Sequence, residues 1–227
     1  MSGNRQAEIA ELLGRAGIAL YFSFVAVLKV VFLVRLMTAS PAPDNWALLL
    51  LATISSLLFV SMVVILALLR AKPSRSAEGI EPRVTAMVAT YMMWPAVLIG
   101  GGPPSMGFAV AGSCLIGIGC ALSAYVLAWL GRSFSIMADA RHLVTRGPYA
   151  VVRHPLYMTE AMIALGIVLL NWSPLMAVAF VIHCCLQLRR MHNEEKVLRA
   201  AFPEYAAYAE RTPRWVPTPS AWRQQPA

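Results

Sequence analysis

The chain has 227 residues, 59% of them hydrophobic and only 13% charged, with a net charge of +8. A soluble domain carries about 25% charged residues, so this composition excludes an ordinary water-soluble globule. The positive charge fits anionic lipid rather than nucleic acid, because the basic residues flank apolar runs and no nucleic-acid motif is present.

Four apolar runs come first, at residues 16–37, 46–69, 84–100 and 107–130. The first is interrupted only by Lys29 and Arg35, and the other three carry no charge. Each covers the ~17–25 residues that a helix needs to cross hydrocarbon. The first is too long and too charged for the apolar core of a cleaved signal peptide. Ser113, Gly117 and Ala121 form a stripe of small residues at four-residue spacing, which predicts close helix packing.

A polar segment follows, from residue 131 to His154, in which Pro148 and Pro155 forbid one regular helix. Pro155 is predicted to start the next helix, where its missing N–H has no consequence. Two shorter apolar runs, 156–170 and 175–188, are separated by Asn171-Trp172-Ser173-Pro174, a tight turn, and read as a helical hairpin. Residues 189–210 read as a helix leaving the membrane and broken at Pro203, with an irregular proline-rich tail beyond.

Arginine and lysine are absent from 38–45 and 101–106 but present in 70–83, in 131–155 and beyond residue 189. By the positive-inside rule the basic segments face the cytoplasm. Six crossings with both termini cytoplasmic satisfy every loop, and Arg35 can snorkel from the far end of the first helix. The predicted fold is therefore an all-α, polytopic integral membrane protein of about six transmembrane helices, the last two a short hairpin. It is read as a single membrane domain over 1–227: N-terminal helices over 1–130, the chemistry over 131–217, and a tail over 218–227.

Cys114, Cys120, Cys184 and Cys185 lack metal-ligand spacing and read as core residues. His183 and His192 read as structural, and Trp215 and Trp222 as anchors at the membrane interface. Four histidines without HxxxH or HxxHH spacing argue against a metal-dependent oxygenase, and no metal site is expected.

A knot of ionisable groups between membrane helices marks a functional site. Arg141, His142, Arg146, Arg153 and His154 offer donors for a carboxylate or phosphate. Tyr149 and Tyr157 offer aromatic faces that suit a cationic centre. Glu194 and Glu195, just beyond the last apolar run, come close to 154–157 if the final helices pack together. Such a set is compatible with S-adenosylmethionine, and also with nucleotides or lipid headgroups.

The stretch "HLVTRGPYAVVRHPLY" at 142–157, followed across the hairpin by "RRMHNEEKVLRAAFPEYAAY" at 189–208, resembles the isoprenylcysteine carboxyl methyltransferase family. That family lies within a wider group of integral-membrane methyltransferases that includes phospholipid N-methyltransferases. The resemblance runs over about 130–217. It implies S-adenosylmethionine bound at the cytoplasmic face, in a pocket built from the connector before helix five and the C-terminal helix. Carried over by position, the cofactor residues are Arg141, His142, Leu143, Val144, Gly147, Tyr149, His154, Pro155, Leu156, Tyr157 and Glu194. Arg190 matches the family's substrate-contacting arginine, and a lipidic or amphiphilic methyl acceptor is implied. The family often has histidine where Arg141 stands, which leaves the register of Arg141 and His142 open by one residue. It often has glycine where Thr159 stands, beside Glu160, which bears on the substrate entrance.

Arg190 and Arg153 are the candidate cations for a carboxylate nucleophile, and Glu160, Glu194 or His154 is the candidate base for an amine or thiol. The competing readings are a membrane reductase of the sterol-reductase type using NADPH, and a non-catalytic binding or transport protein.

Overall fold

A computed structural model describes residues 2–93 and 101–216, with side chains from residue 11 onward. Eight α-helices are present among the described residues. They are α1 (Ser2–Thr38), α2 (Trp46–Leu69), α3 (Glu81–Tyr91), α4 (Met106–Leu130), α5 (Pro148–Val151), α6 (Pro155–Leu170), α7 (Pro174–Ala201) and α8 (Tyr205–Arg211). Two dipeptides, β1 (Arg75–Ser76) and β2 (Asp139–Ala140), pair antiparallel with Arg75 opposite Ala140.

Four helical stretches are long and apolar enough to cross a bilayer: Glu11–Thr38, Trp46–Leu69, Met106–Ser133 and Pro174–Ala201. Pro155–Leu170 is a shorter apolar helix. The count of six is not reached among the described residues. The third expected crossing, 84–100, is seen only as the 11-residue α3, and 94–100 lie outside the described residues, as do the 218–227 tail and Trp222.

Proline sets the boundaries as expected. Pro155 and Pro174 occupy the first turns of α6 and α7, and the chain leaves α7 before Pro203. Ser173 caps α7, its hydroxyl accepting from the Met176 N–H at 3.1 Å. The last hairpin differs from expectation in one respect. The apolar run 175–188 and the polar helix after it are one uninterrupted helix of 28 residues, because nothing between Leu188 and Ala201 breaks the backbone ladder. The face of α7 therefore passes from lipid to polar surroundings without a joint.

The helices pack in the order α1–α2–α4–α6, with α3 and α6 against α7. The tightest seam is α4 on α6. A Cβ on Gly112 would stand 2.9 Å from the Gly166 carbonyl oxygen, and one on Gly166 would stand 2.7 Å from that of Gly112. The predicted stripe packs in part, with Ser113 buried. Gly117 meets α2 at Ala52, whereas Ala121 is exposed and Gly112 and Gly119 make the close approach to α6. The cysteine expectation also needs correction. Cys120 is buried, but Cys185 is exposed and the other two are half-buried. Cys185 lies on the apolar outer surface of α7, where lipid rather than protein accommodates a thiol.

The segment 131–141 is tied to the loop after α2. Ala71 N–H donates to the Arg132 carbonyl at 2.9 Å, Ser74 N–H to Ala140 at 2.8 Å and Ala77 N–H to Ala138 at 2.9 Å. Beneath it Glu11 of α1 pairs with Arg15, Arg70 and Arg141, and Arg141 also reaches Asp139 at 3.0 Å. These bonds hold an otherwise irregular connector against the helix ends, where it forms one wall of the site.

Candidate functional site

The site lies where the connector, the start of α6 and the middle of α7 meet. Burying so many ionisable groups is costly unless they are paired, and the pairing is nearly complete. Glu195 is fully enclosed among cations. His154 Nε2 lies 3.0 Å from its Oε1, Arg153 Nη1 lies 3.1 Å from the same oxygen, and Arg214 Nη2 donates to its Oε2 at 2.7 Å. Backbone bonds close the same corner, from Arg153 N–H to the Pro213 carbonyl at 2.9 Å and from His154 N–H to the Arg214 carbonyl at 3.3 Å. The segment after α8 is therefore a strap fastened across the site.

The adjacent carboxylate, Glu194, points about 100° around the helix from Glu195. The Tyr157 hydroxyl donates to Glu194 Oε2 at 2.8 Å, the only hydrogen bond to Glu194 among the described residues. The Arg190 guanidinium lies over the Tyr157 ring, 5.0 Å from its centroid. Arg190 donates to the Gln187 side-chain oxygen at 2.9 Å and to the Ile136 carbonyl at 3.0 Å. Gln187 in turn donates to Glu160 Oε2 at 2.6 Å, which sits 3.8 Å from Arg190 Nη1. Tyr208 donates to the Tyr149 carbonyl at 2.7 Å and so fixes the short α5.

Tyr149 is buried, and that burial, reinforced by the nearby Glu194 carboxylate, raises its phenol well above the usual range. It stays neutral at any physiological pH and acts as a donor and an aromatic wall, not as a base. Burial likewise pushes Tyr205, close to Glu195, up to about 12.

These residues line a cavity of about 80 Å³ that includes Tyr149, Arg153, His154, Leu156, Tyr157, Glu160, Arg190 and Glu194. A second cavity of about 330 Å³ runs from it between the membrane helices and shares Phe22, Phe59, Thr90, Glu160 and Arg190 as walls. Glu160 and Arg190 thus stand at the junction of a polar chamber and an apolar one.

Of the candidate cofactor residues, Tyr149, His154, Leu156, Tyr157 and Glu194 face the first chamber, as do the candidate catalytic residues Arg190, Arg153 and Glu160. Pro155 is buried in the first turn of α6. Arg141 has its guanidinium engaged with Glu11 and Asp139, His142 is exposed, and Leu143 and Val144 are half-buried away from the chamber wall. Gly147 has φ +60°, and a Cβ there would stand 2.4 Å from the Trp129 ring. Its close backbone approach is therefore to a tryptophan. Sequence reasoning missed Gln187, the Ile136 carbonyl and Arg214. A glutamine inside an apolar run was the available signal for the first.

Residues 108–205, which include Tyr149, Arg153, His154, Tyr157, Glu160, Arg190, Glu194 and Glu195, match the family model described as phospholipid methyltransferase. Over that stretch the chain is similar to the phospholipid methyltransferase family and to a membrane methyltransferase. The chain is 34% identical over 94 residues to protein-S-isoprenylcysteine O-methyltransferase B of Arabidopsis thaliana, covering 38% of this chain and 48% of that protein. It is 39% identical over 85 residues to the cobalt-zinc-cadmium resistance protein CzcN of Cupriavidus metallidurans, covering 36% of this chain and 38% of that one. It is 34% identical over 87 residues to the nickel-cobalt-cadmium resistance protein NccN of Alcaligenes xylosoxydans xylosoxydans, covering 37% and 39%. The chain thus spans less than half the length of the curated relatives it matches. Among the described residues no cluster of three or more His, Cys, Asp or Glu side chains is arranged to hold a metal ion.

The chemistry of the polar chamber fits the methyl donor of such a family. Glu194 has acceptor capacity left for an amine or hydroxyl. Arg153 is buried and paired with Glu195 through Nη1, while its Nε has no hydrogen-bond partner among the described residues. Tyr157 presents an aromatic face suited to a cationic centre. The room is smaller than the ~300 Å³ at which ligand pockets begin.

Proposed function

We propose that the chain is an integral-membrane methyltransferase that moves a methyl group from S-adenosylmethionine to a carboxylate on a lipidic or amphiphilic acceptor. The reaction is most like prenylcysteine carboxyl O-methylation. The observation that carries this reading is the junction of the two cavities at Glu160 and Arg190, with Glu194 and Tyr157 on the polar side and hydrocarbon walls on the other.

The cofactor, when bound, supplies an electrophilic methyl group on a sulfonium. The protein contributes alignment and exclusion of water. Arg190, with two of its five donors engaged by Gln187 and Ile136, is oriented to present the others to an acceptor carboxylate. A carboxylate attacks without losing a proton, so no base is needed. Gln187 draws Glu160 to its own side, which limits repulsion between that carboxylate and an anionic acceptor. Phe22 and Phe59 wall off both chambers. In this reading Glu194, Tyr149, His154 and Tyr157 hold the cofactor, and Arg141, His142, Leu143, Val144, Gly147 and Pro155 shape the connector behind it. The site faces the cytoplasm, with both termini on that side, because the basic connector segments lie there.

Calorimetric titration of the detergent-solubilised protein with S-adenosylhomocysteine and, separately, with NADPH tests the reading. Binding of the first and not the second is expected. Glu194→Ala should weaken the first by about tenfold, the loss of one charge-assisted hydrogen bond. Tyr149→Ala should weaken it similarly. Binding of NADPH alone would favour a reductase, and binding of neither would favour a non-catalytic protein.

A further inference from the structure

The second cavity is not a plain slot for hydrocarbon. His183 of α7 is only 6% exposed and lines it, and neither ring nitrogen has a hydrogen-bond partner among the described residues. The Ala89 carbonyl is nearby without closing such a bond. Lys29 of α1 lines the same cavity and forms no ion pair among the described residues. An ionisable side chain at membrane depth faces a protein interior or cavity and finds a partner there, because hydrocarbon offers none.

The two residues line one cavity from different helices. Lys29 is nine residues from the end of α1 at Thr38, and His183 nine residues from the start of α7 at Pro174. At the helical rise each lies ~13 Å in from that end of its own helix. On α7, His183, Gln187 and Arg190 follow one another along a single face, all three lining the cavity. His183 stands seven residues, or ~10 Å of helix, from Arg190. Ser56 and Cys120 lie beside Lys29 in the same wall, their side chains 3.5 Å apart. The second cavity thus carries two hydrogen-bond donors, without matched acceptors, at a fixed distance from the junction.

We propose that this pair is a subsite for an oxygen function within the acceptor's apolar body. The ligand class is an amphiphile with a carboxylate at Arg190 and a hydroxyl, ketone or ester oxygen ~10 Å along its chain, which Lys29 and His183 recognise. This rests on the proposed methyl-acceptor role of the second cavity and adds the acceptor's chemical class. An unbranched hydrocarbon tail leaves both donors without a partner and binds less tightly, because an unmade hydrogen bond in a dry site is penalised.

Calorimetry of the full-length protein in detergent with stearate and with 10-hydroxystearate tests the subsite. The hydroxy acid should bind about tenfold more tightly to the wild type, and Lys29→Met and His183→Phe should each abolish that preference while leaving stearate affinity unchanged. Equal affinity of the wild type for the two acids overturns the proposal without recourse to any variant, and so does a preference that survives both substitutions. S-adenosylhomocysteine titrated into the same samples separates the two readings. Cofactor binding without discrimination removes the subsite and leaves the methyltransferase. Discrimination without cofactor binding supports the subsite and removes the methyltransferase.

Discussion

Glu195→Ala is expected to destabilise the protein by ~3 kcal/mol, the range for removing one partner of a buried ion pair. The magnitude follows from what is left behind. Arg214 is partly exposed and can turn into water, but Arg153 and His154 cannot, with side chains 13% and 3% exposed. Both lose the only carboxylate that faces them. The strap at 213–214 then hangs on two backbone hydrogen bonds alone. Thermal unfolding of the purified protein in mild detergent, followed by tryptophan fluorescence, reads the loss. Arg214→Ala should fall well short of it, within ~1 kcal/mol, because an exposed cation gains little from its ion pair. Equal effects of the two substitutions would mean that Glu195 is not the centre of the cluster.

Arg190→Ala is expected to lower turnover by ~10²–10³-fold, the scale for removing one preorganised donor from a reacting oxygen. Cofactor affinity should change by less than about threefold, because the cation faces the acceptor side of the junction. Arg190→Lys should restore little. An ammonium is a single point of charge and cannot bond Gln187 and the Ile136 carbonyl while also facing an acceptor. Steady-state kinetics beside S-adenosylhomocysteine titration separates the two quantities. Loss of cofactor affinity equal to the loss of turnover would move Arg190 to the donor side.

Much of this arrangement was legible in the order of residues. Pro155, Pro174 and Pro203 mark helix boundaries because proline lacks an amide donor and has a fixed φ, a local property that needs no knowledge of neighbours. The approach of Glu194 and Glu195 to 154–157 was legible because a short turn forces the last two helices to be antiparallel neighbours. Which glutamate faces which partner was not. Adjacent residues on a helix point about 100° apart, so Glu195 turns to the strap and Glu194 to Tyr157, and only the packing angle decides.

The rest depended on distant contacts. Arg141 and Arg153 are both arginines in one polar connector, yet one is held by Glu11, 130 residues away, and the other lines the chamber. Nothing in the local sequence separates them. Gln187 lies in the second arm of the hairpin and Glu160 in the first, and only the rotation of the two helices about their axes turns the side chains toward each other. The small-residue stripe held at Ser113 and Gly117 but did not locate the tightest seam, for a similar reason. Any of several glycines on α4 permits close approach, and the choice of Gly112 and Gly119 is made by Gly166 and Ile163 on α6.

The central claim is that the two chambers bring a methyl donor and a lipidic acceptor together at Glu160 and Arg190. It is tested most directly by incubating the purified protein with methyl-labelled S-adenosylmethionine, total membrane lipid and a synthetic prenylcysteine, and identifying the labelled product by mass. The account predicts label in an amphiphile as a base-labile methyl ester, abolished by Arg190→Ala. An unlabelled organic phase, with the protein folded and the donor bound, would contradict it.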